Sequence, residues 1–356
     1  MALDIFTPAL LNRVVDFSED PKTPLLDKFF PEIEVSATEK IFFDSKGRDR
    51  RLAPFVAPEV EGQLMAKQGF STDSFQPAYI KDKTIFEAGE TLKRRAGEPL
   101  AGNLTPAQRL ENAVADEVLL KKERLNRRLE VMASEVMRTG KVTVVGKGFE
   151  TKVVDFGRNA NHTIVLAPGS QWGDVGVSPW VDLKAWMETV ALNSGVVITD
   201  LTFDGLAYDA LSKDADFIAA LDNRRAGAGS EVQLLSVPEL GLSYKGHVEN
   251  VNLWVYTGKY VHPETGVETA YIPANTVMGG SIGMEGVRHF GAIKDIQATE
   301  GEISNVPGAQ AGGLLSREMF IKSWTSDDPS ARYLMAQSAP LLVPYKVDGT
   351  FGATVK

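Results

Sequence analysis

The stretch "TPAQRLENAVADEVLLKKERLNRRLEVMASEVMRTG", Thr105–Gly140, carries helix punctuation at both ends. Thr105 can cap the first turn, Pro106 suits the first helical position and Gly140 suits the stop. Between them Leu110, Val114, Val118, Leu125, Leu129, Met132 and Val136 recur mostly at spacings of three, four and seven, so they line one face. The opposite side carries Lys121, Lys122, Arg124, Arg127 and Arg128, interleaved with Glu117, Glu123 and Glu130. At ~1.5 Å per residue, a helix over 106–139 reaches roughly 50 Å. That is about three times the usual helix length. The stripe is ragged around Leu119–Leu120, which fits a helix laid across a sheet better than a two-chain coiled coil.

Composition sets the outer limits. The chain has 356 residues, 43% hydrophobic and 24% charged, enough for one large core or two modest ones. Lys plus Arg total 38 against 47 Asp plus Glu, a net charge of −9, which argues against a strongly basic nucleic-acid binder. The absence of cysteine excludes disulfides and thiolate metal sites. "MALDIFTPALLNRVV" lacks a basic leader and is interrupted by Asp4 and Pro8, so no secretory signal is read there. No run approaches the ~20 apolar residues that span a bilayer. A soluble, intracellularly made protein is the expectation.

On either side of the rod the sequence divides into unlike parts. Residues 1–50 hold scattered apolar patches broken by Pro8, Pro21, Pro24 and Pro31, as expected of an arm lying on another surface. Residues 51–104 contain two short alternating runs, Pro77–Ile80 and Thr84–Leu92, among many glycines, and are predicted to form a long two-stranded excursion. After the rod come "KVTVVGKGFETKVVDFG" and "HTIVLAPGS", read as strands. Ser178 and Pro179 open a helix that Gly195 stops, with Trp180, Leu183, Met187 and Val190 facing inward. "VVITDLTF" reads as a buried strand, and Asp204 as the cap of the next helix. "NLWVYTGKYV", "HPETG" and "VETAYIP" read as a hairpin, and Ser330–Val347 as one long closing strand.

No catalytic, cofactor or metal site emerges. "GGSIG", Gly279–Gly283, matches the nucleophile elbow around Ser281, but the one histidine after it, His289, precedes Asp295, so the hydrolase order fails. The histidines His162, His247, His262 and His289 are far apart. Asp214–Asp216 reads as a solvated helix face rather than a cation site. "RRAGAGSE", Arg224–Glu231, lacks the Gly-Lys-Ser/Thr ending of a phosphate loop and reads as a mobile loop. "LKRR", Leu92–Arg95, is too brief for a nucleic-acid groove, and the sequons at Asn103 and Asn161 have no secretory route. An arm, a ribbon and an exposed rod in one chain leave apolar and edge surfaces for other copies to cover.

Several stretches, in order along the chain, resemble the major capsid proteins of tailed bacteriophages with the Hong Kong 97-type fold, and within it the lambda-type major head protein family. They are "TEKIFF" (Thr38–Phe43), "FVAPEVEGQLMAKQGFSTDSFQPAYIKDK" (Phe55–Lys83) and "TLKRR" (Thr91–Arg95). Further on come "DNRRAGAGSE" (Asp222–Glu231), "LSYKG" (Leu242–Gly246), "VYTGKYV" (Val255–Val261) and "DDPSARYLMAQSAPLL" (Asp327–Leu342). The resemblance implies an α+β capsid fold with an N-terminal arm (1–50) and an extended β-hairpin loop (51–104). It implies a peripheral domain (105–178 and 296–356) with a spine helix over 106–139, and an axial domain (179–295). It implies a non-enzymatic virion protein, without cofactor, that assembles as pentamers and hexamers into an icosahedral shell around DNA. Scaffold, portal and a decoration protein are the implied partners, with assembly in the host cytoplasm and no cross-linking between subunits. The alternatives are a tail or adaptor protein and a serine hydrolase using Ser281. Leu125→Pro is expected to break the spine, costing ~3 kcal/mol or more, and to lower soluble yield, read from the soluble fraction on expression.

Overall fold

The computed structural model describes residues 6–19, 21–45, 71–87, 104–146, 148–222, 241–296, 306–310, 313–328 and 330–356, with positions 52, 55, 59, 61, 89, 236 and 237 besides. Four features read from the sequence, Arg224–Glu231, Leu92–Arg95, Asn103 and most of 51–104, lie outside the described residues.

Six helices are numbered along the chain: α1 (Pro8–Phe17), α2 (Pro24–Phe29), α3 (Pro106–Thr139), α4 (Pro179–Ser194), α5 (Gly205–Ser212) and α6 (Ala215–Asp222). The rod α3 has the predicted limits. Thr105 Oγ1 accepts from Gln108 N at 3.2 Å while Gln108 Oε1 accepts from Thr105 N at 3.0 Å, a reciprocal capping box. Gly140 closes the helix with φ 70°, a left-handed conformation that glycine adopts without a Cβ penalty. The predicted stripe is buried from Val114 to Val136, but so are Lys121 and Glu130, which the sequence placed toward water. More than one face of α3 is covered.

Two layers of chain supply that cover. On one side α1 and α2 pack against α3, burying Leu11, Val15, Leu25, Leu26, Phe29 and Phe30 in its core. Asn12 on α1 fixes this layer: its Nδ2 donates to Ile321 O at 2.8 Å, and its Oδ1 accepts from Ile321 N at 3.0 Å. Short sheets also lie near the rod, and the first two touch α3 directly. One has the order β19 (Phe320–Ser326), β20 (Ala331–Ser338), β4 (Ile80–Glu87), antiparallel throughout. Another runs β1 (Glu32–Val35), β15 (Gly286–Phe290), β21 (Pro340–Pro344), with β1 parallel to β15. A third joins β16 (Ile293–Lys294), β18 (Leu314–Leu315) and β17 (Ala309–Gln310).

A second core lies under a seven-stranded sheet. Its order is β7 (Thr163–Val165), β22 (Phe351–Thr354), β14 (Thr276–Gly280), β8 (Asp200–Phe203), β11 (Val251–Tyr256), β10 (Leu242–Val248), β9 (Ser236–Val237). Trp172, Trp180, Leu183, Phe217 and Phe351 fill the space between this sheet and helices α4–α6. The helix starts are those predicted: Ser178 Oγ accepts from Val181 N, and Asp204 Oδ1 and Oδ2 from Ala207 N and Leu206 N. Met187, expected on the inward face of α4, is only partly buried.

Strand pairing departs from expectation in three places. The two runs in 51–104 do not pair with each other: β4 joins β20, and the ribbon in this region is β2 (Ile41–Ser45) with β3 (Ser71–Phe75), which begins before residue 51. The stretch 71–87 therefore lies partly on the subunit's own body, because Thr84 and Asp82 meet the buried Lys121 of α3. The run Ser330–Val347 is not one strand. It breaks at Ala339, whose carbonyl accepts from Gly291 N at 2.8 Å, and it serves two sheets. The chain then closes with β22 in the seven-stranded sheet. Lastly, the hairpin around "HPETG" forms as predicted only at its tip, β12 (Lys259–Val261) with β13 (Glu268–Ala270), while β11 before it pairs with β8 and β10. "KVTVVG" and "FETKVVD" form a local ribbon, β5 (Lys141–Gly146) with β6 (Phe149–Asp155).

The spine crosses β22 at close range. A Cβ on Gly352 would stand 2.1 Å from Arg138 O, backbone that cannot swing aside. Gly352→Ala is expected to destabilise the subunit by about 1–3 kcal/mol, seen as a lower urea midpoint with an unchanged slope.

Candidate functional site

The sequence motifs resolve into local structural roles. Ser281 follows β14 and begins a 3₁₀ turn, Ile282–Met284, accepting from Gly283 N at 3.2 Å. His289 lies on β15 with its Nε2 3.2 Å from the Tyr345 hydroxyl and its Nδ1 3.7 Å from Glu34, so its ring faces these groups and not Ser281 as a triad would require. The glycines of "GGSIG" have a packing reason. A Cβ on Gly279 would meet Phe351 at 2.1 Å, and one on Gly280 would meet Met137 of α3 at 2.4 Å and Phe29 of α2 at 2.8 Å.

The other histidines sit in separate places. Buried His162 bonds Asn193 at 3.0 Å, and burial lowers its pKa. His247 bonds Asn252, and His262 accepts from Glu264 N and Thr265 N in the β12–β13 turn. Asp214 accepts from Ser178 Oγ at 2.8 Å and Trp180 N at 2.9 Å, tying the start of α4 to the start of α6 instead of facing water as expected. Among the described residues no group of three or more such side chains could hold a metal ion, and no helix is long and apolar enough to cross a membrane.

What the fold presents instead is uncovered surface. Among the described residues, three ribbons of two strands and the three-stranded sheets leave strand edges unpaired, and such edges are templates for another chain. Large apolar side chains stand in water on these elements, on α1 and on the second lobe: Phe42 and Val153 on ribbons, Phe17 at 78% exposure on α1, and Val165, Leu192 and Ile282 on the second lobe. The outer face of β4 alternates Lys81, Lys83 and Ile85. There Lys83 Nζ lies 3.9 Å from the Tyr333 ring and 5.3 Å from Trp324, with the two rings stacked at 5.4 Å.

Behind that surface, charged side chains bolt the layers together, and sequence reasoning missed them because charge reads as solvent-facing. Lys121 bonds Thr84 at 2.7 Å and pairs with Asp82 at 3.2 Å. Arg124 pairs with Asp82 at 2.8 Å and Glu117 at 3.1 Å, which holds Asp82 below the usual carboxylate range against its burial. Lys122 caps the end of α1 through Val15 O and Ser18 O. Arg158 donates to Met137 O and Arg138 O, satisfying carbonyls at the end of α3. Lys28 of α2 reaches Asp200 at 2.6 Å and lies 4.0 Å from the Trp254 ring. No warning stands in the sequence at α2 either: "TPLL" has the same Thr-Pro start as α3, yet Thr23 makes no side-chain cap, and Glu130 of α3 accepts from Leu25 N and Leu26 N instead.

A long braced helix, a sheeted second lobe and open ribbons define the class: an α+β capsid subunit of the Hong Kong 97-type fold. The family model described as phage major capsid protein E matches residues 7–355, and the chain belongs to that family. It is 30% identical over 330 residues to the major capsid protein of Escherichia phage lambda, covering 92% of each chain. It is 29% identical over 346 residues to that of Escherichia phage N15, covering 96% of each. A crystal structure described as a prophage capsid protein from E. coli CFT073 superposes with a TM-score of 0.70 at 21% identity, covering 97% of this chain and 96% of that one. The protein is thus a phage major capsid protein, part of the virion, and the family is structural, not enzymatic. Ser281→Ala is expected to cost about 0.5–2 kcal/mol as a lost turn cap, and to leave hydrolysis of a p-nitrophenyl ester at the buffer rate, as in the unmodified protein.

Proposed function

We propose that the subunit has no catalytic role and assembles as pentamers and hexamers into an icosahedral shell around the phage genome. The observation that carries this is the set of apolar side chains exposed on open-edged ribbons beside a fully packed interior. Unlike patches on neighbouring copies join head to tail, and such contacts close into rings when the rotation permits. Each subunit meets several neighbours at once, so weak contacts reinforce one another.

In this reading residues 1–50 are the arm and 51–104 the loop that laps the adjacent subunit. Residues 105–178 and 296–356 form the peripheral part, with α3 as its spine, and 179–295 the axial part around the five- and six-fold axes. Strand β22 carries the end of the chain from the first part into the sheet of the second. Assembly takes place in the host cytoplasm with a scaffold, a portal and a decoration protein as partners, without cofactor and without covalent cross-links. The net charge of −9 keeps the wall from gripping the DNA it encloses.

Because β4 belongs to the body of the subunit, the lapping segment is best tested by a cut that spares it. Replacing residues 46–70 by a short Gly-Ser turn between β2 and β3 is expected to leave a folded monomer that forms no closed shells in electron micrographs. The full chain, co-expressed with its scaffold, is expected to form them. Unimpaired shells from the shortened chain refute the lapping role, and small discrete particles from the full chain refute the shell itself.

A further inference from the structure

Each of the two three-stranded sheets that touch the rod has one edge closed by the subunit's own chain and one left open. In the sheet of β19, β20 and β4 the β19 edge is taken, because Ile321 N donates to Asn12 of α1 and Ile321 O accepts from it. In the sheet of β1, β15 and β21 the strand β21 is buried along its whole length. Strands β4 and β1 stand at the opposite edges, and among the described residues no further strand pairs with either.

The two open strands carry opposite charge at the same spacing. On the outer face of β4, Lys81 Nζ lies 5.3 Å from the Tyr79 ring and Lys83 Nζ 3.9 Å from the Tyr333 ring. Both ammonium groups thus rest on aromatic faces, and among the described residues neither has a carboxylate partner. All four residues of β1 are exposed, with Glu32 and Glu34 on one face. Glu34 has only the ring of His289 nearby, at 3.7 Å. The ribbons differ: Lys141 pairs with Asp155 inside β5–β6, and Lys259 with Glu268 inside β12–β13.

Charge on an edge strand ordinarily prevents pairing. Here it does so for like with like. Two β4 edges would set lysine against lysine and two β1 edges glutamate against glutamate, and like charges directly opposite are destabilising. A β1 edge beside a β4 edge sets each glutamate against a lysine. Because both pairs are spaced by two residues, this holds whether the strands run parallel or antiparallel.

We propose that β1 of one copy adds to the open edge of β4 in a neighbouring copy, with Glu32 and Glu34 against Lys81 and Lys83. Main-chain bonds between the strands supply the affinity, and the charges select the partner edge. The contact joins unlike patches, so it runs head to tail and can propagate around a ring. Each strand is anchored in its own body, β1 by β15 and β4 by β20, so pairing them ties two subunits together through their sheets. This contact rests on the shell reading and is distinct from lapping by residues 46–70.

Charge-swapped chains, each co-expressed with the scaffold, test it. Lys81→Glu with Lys83→Glu, and separately Glu32→Lys with Glu34→Lys, are expected to cut the count of closed shells in electron micrographs about tenfold or more. All four substitutions in one chain restore the match of charges and are expected to return the count to within about threefold of the unmodified chain. Undiminished shells from either two-site variant, or no recovery in a folded four-site variant, overturn the pairing. Should a swapped chain not fold, thiols replace the charges, since the sequence has no cysteine. Shells of chains carrying Lys83→Cys with either Glu32→Cys or Glu34→Cys are oxidised and run on a denaturing gel without reductant. Disulfide-linked oligomers from one of the two are expected, and monomers alone from both refute the contact. Absence of shells from the unmodified chain is a separate result, which removes the shell reading and this contact with it.

Discussion

The structure depends on covering a helix that its sequence neighbours cannot cover. Residues 106–139 project an apolar stripe and two buried charged groups over roughly 50 Å, and, apart from β5 and Arg158 just after it, what packs there comes from distant parts of the chain. Helices α1 and α2 arrive from the first thirty residues, β4 from the loop region, and β14, β21 and β22 from the last eighty. Apolar area alone would let these layers slide, because burial is non-directional. The bonds of Lys121, Glu130 and Arg158 give the layers a fixed position along the rod, since an unpaired buried charge is strongly disfavoured.

Two kinds of surface result. Inward faces are closed by aromatic and aliphatic packing, with glycines at Gly280 and Gly352 letting strands approach the spine within contact distance. Outward faces end in short strands with unpaired edges, which a solitary protein would blunt or cover. A member of the phage capsid family has copies of itself to do the covering. The same chain thus supplies the closed core of a folded unit and the incomplete sheets of a wall.

Local grammar was legible in the sequence. Thr105, Ser178, Asp204, Gly140 and Gly195 all act where their residue types suggested, because a cap needs only its own few neighbours. Pairing was not legible in the same way. Whether β4 pairs within its own loop or with β20 depends on a partner some 250 residues away; the break of Ser330–Val347 at Ala339, by contrast, has a mark in the sequence, Pro340, which was passed over. The failed site motif is instructive too: "GGSIG" has the letters of a nucleophile elbow, yet its glycines make room for Phe351, Met137 and Phe29. Buried Lys121 and Glu130 were invisible because polarity patterning assigns charge to water, and only the second layer of chain over α3 reverses it.

The pair of hydrogen bonds between Asn12 and Ile321 spans 309 residues. A ribosome releases the start of this chain long before its partner strand exists, and closing so long a loop is entropically slow. The first helix must wait, unseated, until the strand that carries Ile321 has emerged. Nascent chains crowded on one messenger consequently lack a finished body to tile with, and synthesis itself delays the building of the wall until each brick is whole.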